Sequence, residues 1–162
     1  MEPLAFRAPM RSRDDDVPRG VAADRAIEHA VCGIGARLEP PPASLREALT
    51  AVDAAYGERT ARRLERFAAA TRGSFVWTRD TSESFWLGRL SGAWRYDSSA
   101  GAAAVDLVHV RSCEWMPSPI PDHEVPPSVH RAFARGGRNW QQIRAADAAP
   151  ASARVWSRET SR

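Results

Sequence analysis

The chain contains no lysine: all 23 of its basic residues are arginine. That absence excludes Schiff-base chemistry on a lysine, a P-loop lysine on a nucleotide phosphate and a lysine general base. Cysteine is scarce as well. Two thiols, Cys32 and Cys113, are too few for a disulfide framework and fit a cytoplasmic protein with reduced cysteines. No apolar run approaches the ~18 residues that a membrane helix needs, so no membrane association is expected. The opening "MEPLAFRAPMRSRDDD" lacks a long apolar core, and its three aspartates argue against a transit peptide. No G-x-S-x-G elbow, H-E-x-x-H pair or glycine-rich phosphate loop occurs.

What is present is ordinary in amount and uneven in placement. Hydrophobic residues make up 43% of the 162 and charged residues 27%, with a formal net charge of +3, as for one soluble domain. Residues 1–18 are charged and aperiodic and read as a disordered N-terminal segment. Residues 145–162 read as a flexible tail, with Trp156 the one residue there placed to dock. The globular domain is expected over 19–144.

Inside it, "HAVCGIG" (29–35) reads as a strand whose glycines let something approach the backbone closely. Ser44 with Glu47 forms a capping box, and Leu45, Leu49 and Val52 make one apolar stripe of a helix. A second helix is expected over 58–70, with Arg59, Arg62, Arg63 and Arg66 on a solvated face. The period then changes. Residues 73–80, 84–92, 93–97 and 106–115 are β-branched and aromatic, with turn signals between them. A short helix over 128–137 and a strand over 139–144 close the order. The expected class is α+β: a small curved or barrel-like mixed sheet, helices inserted after the first strand, and a short C-terminal helix.

Two chemical constellations fail on spacing. His29, Cys32, His109 and Cys113 are a zinc-like set in composition. On strands, however, residues three apart face opposite ways and residues four apart lie ~13 Å apart, so no metal site and no cofactor is expected. Cys113 with His109 as a nucleophile pair is weaker than a half-buried strand cysteine. The basic and aromatic pattern remains. Six tryptophans are a high number for this length. Alternation puts Phe85, Leu87 and Arg89 on one face of their strand and Trp86 and Leu90 on the other. Arg89 therefore faces outward or needs an acidic partner such as Asp97 or Glu114. Trp94 and Tyr96 beside Arg95 either form a stacking platform or pack against helices.

"GSFVWTRD", "FWLGRLSGAWRYD" and "DLVHVRSCEW" together resemble the sheet signature of the PUA-like superfamily, in particular EVE-like domains and the reader modules of modification-dependent restriction systems. The residues that carry the resemblance are Gly73, Val76 and Trp77; Leu87, Gly88, Leu90, Gly92, Trp94, Tyr96 and Asp97; and Val108, Val110, Arg111 and Trp115. "CGIG" and "RGGRNWQQI" are similar to the first and closing strands of such modules, so the likeness spans about 29–143. It implies a small barrel with a cleft for a base, often modified and flipped, and a binding role without catalysis. The pocket expected on this basis holds Trp77, Trp86, Arg111, Trp115 and Asn139, with Arg89, Arg95 and Arg138 on phosphates. Ser112 and the backbone of 32–35 are further candidates for reading the base edge. Replacing Trp77 or Trp115 by alanine is then expected to weaken binding without unfolding. The expected partner is DNA or RNA, with any cutting activity supplied by a protein partner. The ASCH branch of the superfamily includes ribonucleases that lean on lysine, which this chain lacks. The alternatives are an interaction or accessory subunit without a small ligand, and a small nuclease or hydrolase using His109 or His29.

Overall fold

The computed structural model describes residues 2–162. Its strands are β1 (Ala5–Arg7), β2 (Val31–Ile34), β3 (Phe75–Arg79), β4 (Phe85–Leu90), β5 (Arg95–Tyr96), β6 (His109–Trp115) and β7 (Gln141–Gln142). Its helices are α1 (Val21–Glu28), α2 (Leu45–Tyr56), α3 (Glu58–Ala69), α4 (Ala100–Ala104), α5 (Pro127–Ala134) and α6 (Ala148–Thr160), with a 3-10 turn at Asp122–Glu124. The class is the expected one: α+β, with a strongly curled mixed sheet forming a half-barrel, helices after the early strands and a C-terminal helix.

The sheet runs β2-β6-β4-β3-β1-β7, and β5 pairs β6 off that path. Among these strands only β1 and β3 are parallel; the other ladders are antiparallel. Strand β6 is long enough to change neighbours. Its start pairs β2 and β5, and its end pairs β4.

Strand alternation divides the core in two. Phe6, Val76, Leu90 and Cys113 point to one face, where Ala22, Ala23 and Ala26 of α1, Val52 of α2 and Leu64 and Phe67 of α3 cover them. Ala5, Phe75, Trp77, Phe85 and Leu87 point to the other, beneath Val129 and Ala132 of α5 and Ala148 and Val155 of α6. Both faces of the sheet are therefore roofed by helices. Helix α2 starts as its sequence dictates: the Ser44 side chain accepts from Glu47 N at 3.1 Å, and Glu47 Oε2 accepts from Ala43 N at 2.8 Å.

The termini depart from expectation. Residues 2–18 do not form a disordered segment, because β1 sits between β3 and β7 with Ala5, Phe6 and Arg7 all buried; residue 1 of that expected segment lies outside the described residues. Phe6 stacks on Trp140 at 4.2 Å between centroids. Three residues are too few to show a period, and the pairing partners lie some 70 and 135 residues away along the chain. Residues 145–162 are not a loose tail either. Helix α6 buries Ala148, Ala151, Ser152 and Val155, spaced i, i+3, i+4 and i+7, in a stripe of mostly small side chains. Helix α1 went unread for the same reason, since its buried face is alanine. Among the described residues, no helix is long and apolar enough to cross a membrane.

Candidate functional site

The eight expected site residues do not converge. Trp77 is fully buried on β3 beneath α6, where its Nε1–H donates to Ser152 Oγ at 2.9 Å. It is core, and the expectation that it lines an open pocket is corrected: the second face of the sheet is covered, so outward parity on a strand does not mean exposure. Arg111 is 3% exposed, and its guanidinium is spent on three carbonyls: Nε to Gly92 O at 2.7 Å, and Nη1 to Phe67 O at 3.0 Å and Ala70 O at 2.8 Å. Those last two acceptors belong to the C-terminal turn of α3, so Arg111 closes that helix end instead of reading a ligand. Trp115 lies over Gly88, where an added Cβ would sit 2.7 Å from the indole, and donates to Val31 O at 2.8 Å. Trp86 is half-buried and bonded to Asp80 Oδ2 at 2.8 Å.

The arginines divide in the same way. Arg89 stands opposite Glu114 in the β4–β6 ladder but forms an ion pair with neither Glu114 nor Asp97 among the described residues. Its guanidinium lies over the rings of Phe75 and Trp156 at 5.7 and 5.3 Å, so the aromatic platform beside it is occupied from within. Arg95 is exposed on β5, away from any cleft described below. Trp94 and Tyr96 pack inward. Trp94 Nε1–H donates to His109 Nδ1 at 3.2 Å, and the Tyr96 hydroxyl both accepts from Leu38 N and donates to Leu38 O. Ser112, half-buried on β6, is overlaid by Gly92, whose added Cβ would meet the serine Cβ at 2.9 Å. Only Asn139 and Arg138 of the eight line a common opening.

That opening is a cleft with a cavity volume of about 70 Å³, at the end of β2. One wall is the segment after β1, Met10 to Arg13. The floor is Gly33 to Ala36 with Asp106, and the far side is Tyr56, Thr60 and Arg63 of α2 and α3. Arg138, Asn139 and Trp140 close it. The strand glycines permit the close approaches expected of them. A Cβ on Gly33 would lie 2.6 Å from His109 O, and one on Gly35 would lie 2.6 Å from the Asp106 carboxylate.

Of the described residues, five other than glycine have a positive φ, and three of them line this cleft: Met10 at 49°, Ala36 at 92° and Asp106 at 52°. Such conformations cost of order 1–3 kcal/mol each and persist only where the surroundings hold them. The holding groups are visible. The Ala36 N–H donates to Asp106 Oδ1 at 3.1 Å, and the Ala36 carbonyl accepts from His109 Nε2 at 2.9 Å. Because Nδ1 of His109 accepts from Trp94, its proton resides on Nε2. Burial lowers the His109 pKa from 6.5 to about 4, against the opposing pull of the Ala36 carbonyl and Asp106. The histidine is fully buried and both ring nitrogens are engaged, so it braces the floor and has no access to solvent. Asp106 also accepts from Ser12 Oγ at 2.7 Å, tying the wall to the floor.

The electrostatics are lopsided. Arg11, Arg13, Arg63 and Arg138 line the cleft with one carboxylate, Asp106. Arg138 is paired with Asp15 at 2.8 Å, and Arg13 donates to Thr60 Oγ1 at 2.9 Å. Among the described residues, no carboxylate lies within ion-pair distance of Arg11 or Arg63. Burial lowers the pKa of Arg63, and the neighbouring Arg13, Arg66 and Arg59 lower it further. For Arg11 the causes are burial, then Arg19 and Arg138, with Asp15 opposing. Two aromatic residues border this charge. The Tyr56 hydroxyl donates to Arg37 O at 2.6 Å, and the Trp140 Nε1–H is buried with no acceptor among the described residues.

The cysteines do not contribute chemistry here. Cys32 and Cys113 are buried in the core, and burial raises the Cys32 thiol to about 12 and Cys113 well above its ordinary value. At neutral pH both are therefore thiols, not nucleophilic thiolates. His29 is exposed past the end of α1. Among the described residues, no three His, Cys, Asp or Glu side chains come together as a metal would need. Of the residues that build the cleft, sequence reasoning missed the segment 10–13, Tyr56 and Asp106, and placed Arg63 on a solvated face. The available signal was the "MRSRDDD" run, where arginines precede acids with no apolar period to absorb them. No protein-family model matches the chain, and no curated protein matches it in sequence.

Proposed function

We propose that this chain is a non-catalytic nucleic-acid-binding module that receives an unstacked base in the cleft at the end of β2. The observation that carries the reading is the pair Arg11 and Arg63. Both are partly buried, both are repelled by other arginines, and neither has a carboxylate partner among the described residues, yet both line one opening with Tyr56 and Trp140. A ligand that is flat and carries phosphate answers both halves of that description. Stacking on an aromatic side chain is worth ~1–3 kcal/mol per base, which offsets the few kcal/mol needed to extract a base from a duplex. Arginine forks on phosphate oxygens then supply position and charge neutralisation.

Asp106 gives the cleft its selectivity. It is buried, and each oxygen accepts one bond from the protein, which leaves lone pairs to accept from an exocyclic amino group or ring N–H. The curled half-barrel with helices after its early strands is the architecture that the PUA-like resemblance implies. A preference for a modified base, on DNA or RNA, follows from that resemblance.

Calorimetric titration with nucleosides, nucleoside monophosphates and short single strands, modified bases included, tests the reading. Arg63→Ala and Asp106→Asn are each expected to weaken binding at least tenfold, with Arg95→Ala as the unaffected control. Absence of affinity for every nucleoside, DNA and RNA probe would overturn the proposal in favour of a protein-interaction module.

A further inference from the structure

Arg11 lines more than the cleft. Beyond it lies a second basin with a cavity volume of about 190 Å³, lined by Arg7, Arg11, Arg19 and Arg79 among others. The unusual member is Arg7. It is 7% exposed, on β1 in the middle of the fold, opposite Trp77 and Gln141. Its Nη1 donates to Ala132 O at 2.7 Å and to Gly136 O, but its buried Nε has no acceptor among the described residues. No carboxylate of those residues pairs with it either. Burial lowers its pKa, and Arg135 lowers it further. A buried cation without a counter-ion is a costly thing for a fold to keep.

That cation, although almost wholly buried, lines the basin. Gly137 passes it with φ at 103°, and a Cβ there would sit 2.8 Å from Arg7 Nη2. Arg79 is held toward the basin by two bonds to Glu83 O, at 3.1 and 2.9 Å, with its guanidinium 4.7 Å from the Phe85 ring centre. Arg19 is exposed and has no ion pair among the described residues. Two acids also line the basin. Asp80 already accepts from Ser82 N, Ser84 N and Trp86 Nε1; the other is Glu83. Four guanidinium groups thus outnumber two carboxylates, one of which already accepts three bonds.

We propose that this basin is a phosphate-binding site, and that it takes a phosphate flanking the nucleotide held in the cleft, with Arg11 touching both. What the rest of the ligand is rests on the preceding reading; that the basin binds phosphate does not. The ligand class is then a single-stranded oligonucleotide segment, not a free nucleoside.

The test titrates the full chain with inorganic pyrophosphate, with 5′-phosphorylated random hexamers of DNA and RNA, and with nucleosides. Arg19→Glu is the main variant because Arg19 is exposed and its loss leaves the fold intact. Arg7→Met is the second, used where circular dichroism shows it folded. Arg19→Glu is expected to weaken hexamer binding at least tenfold and to lower the salt slope by about 0.7 for each phosphate no longer neutralised. It should leave nucleoside binding unchanged. Hexamer affinity that is equal in wild type and Arg19→Glu overturns the basin and leaves the cleft reading standing. Pyrophosphate binding that Arg19→Glu abolishes, with no hexamer or nucleoside bound, supports the basin and overturns the cleft reading. No binding of any probe overturns both.

Discussion

Arg89 and Arg63 are both half-buried arginines set among aromatic residues, yet they end in opposite states. Arg89 lies against the neighbouring rings of Phe75 and Trp156, so its charge is met by rings of its own chain. Arg63 borders an opening shared with Tyr56 and Trp140 and is surrounded by other arginines. The same contrast separates Arg111 from Arg11. The first is spent on carbonyls at the end of α3, and the second lines both the cleft and the basin with no carboxylate partner among the described residues. The arginines and tryptophans of β3, β4 and β6 find partners within the fold: carbonyls, Ser152, Asp80 and rings. Of the arginines that line the cleft, Arg11 and Arg63 have no carboxylate partner among the described residues. Unmet charge, not local richness in tryptophan and arginine, distinguishes the surface that can take a ligand.

The largest effect that sharpens this contrast is at Trp77. Trp77→Ala removes the largest fully buried side chain and leaves Ser152 Oγ with only its bond to Ala148 O, and a cost of ~3–5 kcal/mol is expected from cavity formation. That is a large share of the stability of an ordinary domain. Urea unfolding checks it. A variant as stable as wild type, with a separable binding defect, would return Trp77 to the open side of the comparison.

A smaller effect follows from His109, which braces the cleft floor. Its folded pKa of about 4 lies below the ordinary 6.5. Above 6.5 the ring is neutral in both states, and its contribution is fully present. As pH falls below 6.5 the unfolded chain gains a proton that the folded chain refuses, so stability is lost progressively until about pH 4. The whole span is worth at most roughly 3 kcal/mol. Urea midpoints should fall between pH 7 and pH 5 at constant ionic strength. Midpoints that stay flat would show that the ring titrates normally and does not hold Ala36 by a buried neutral tautomer.

Much of the frame could be read from residues alone, because it was written in local chemistry. Ser44 and Glu47 mark the start of α2, and β-branched and aromatic runs mark β3, β4 and β6. The elements that went unread lack local marks. Strand β1 is three residues long, and α1 and α6 bury alanine and serine stripes that carry little apolar signal. The site was less legible for a related reason. Strand parity tells which side chains share a face, but not whether a helix covers that face, and here helices cover both. Asn139 and Arg138 line the cleft, though without the tryptophans expected beside them. Asp106 gave no sign, because its importance lies in a positive φ and in bonds to Ser12 and Ala36, 94 and 70 residues away.

The smallest expected change in stability is the most discriminating. Arg63→Ala removes a guanidinium that burial and three neighbouring arginines all disfavour, and it breaks no ion pair among the described residues. Its effect on unfolding should lie within about 0.5 kcal/mol of zero, as for surface substitutions away from special features, and on the stabilising side, since repulsion is relieved. Arg111, by contrast, cannot be removed without leaving the carbonyls of Phe67, Ala70 and Gly92 short of a donor. A residue whose loss leaves the fold untroubled or firmer, while nucleotide affinity falls tenfold, is kept for something outside the fold. If thermal melts instead show Arg63→Ala clearly destabilised, the arginine is serving the structure, and the difference between the two regions disappears.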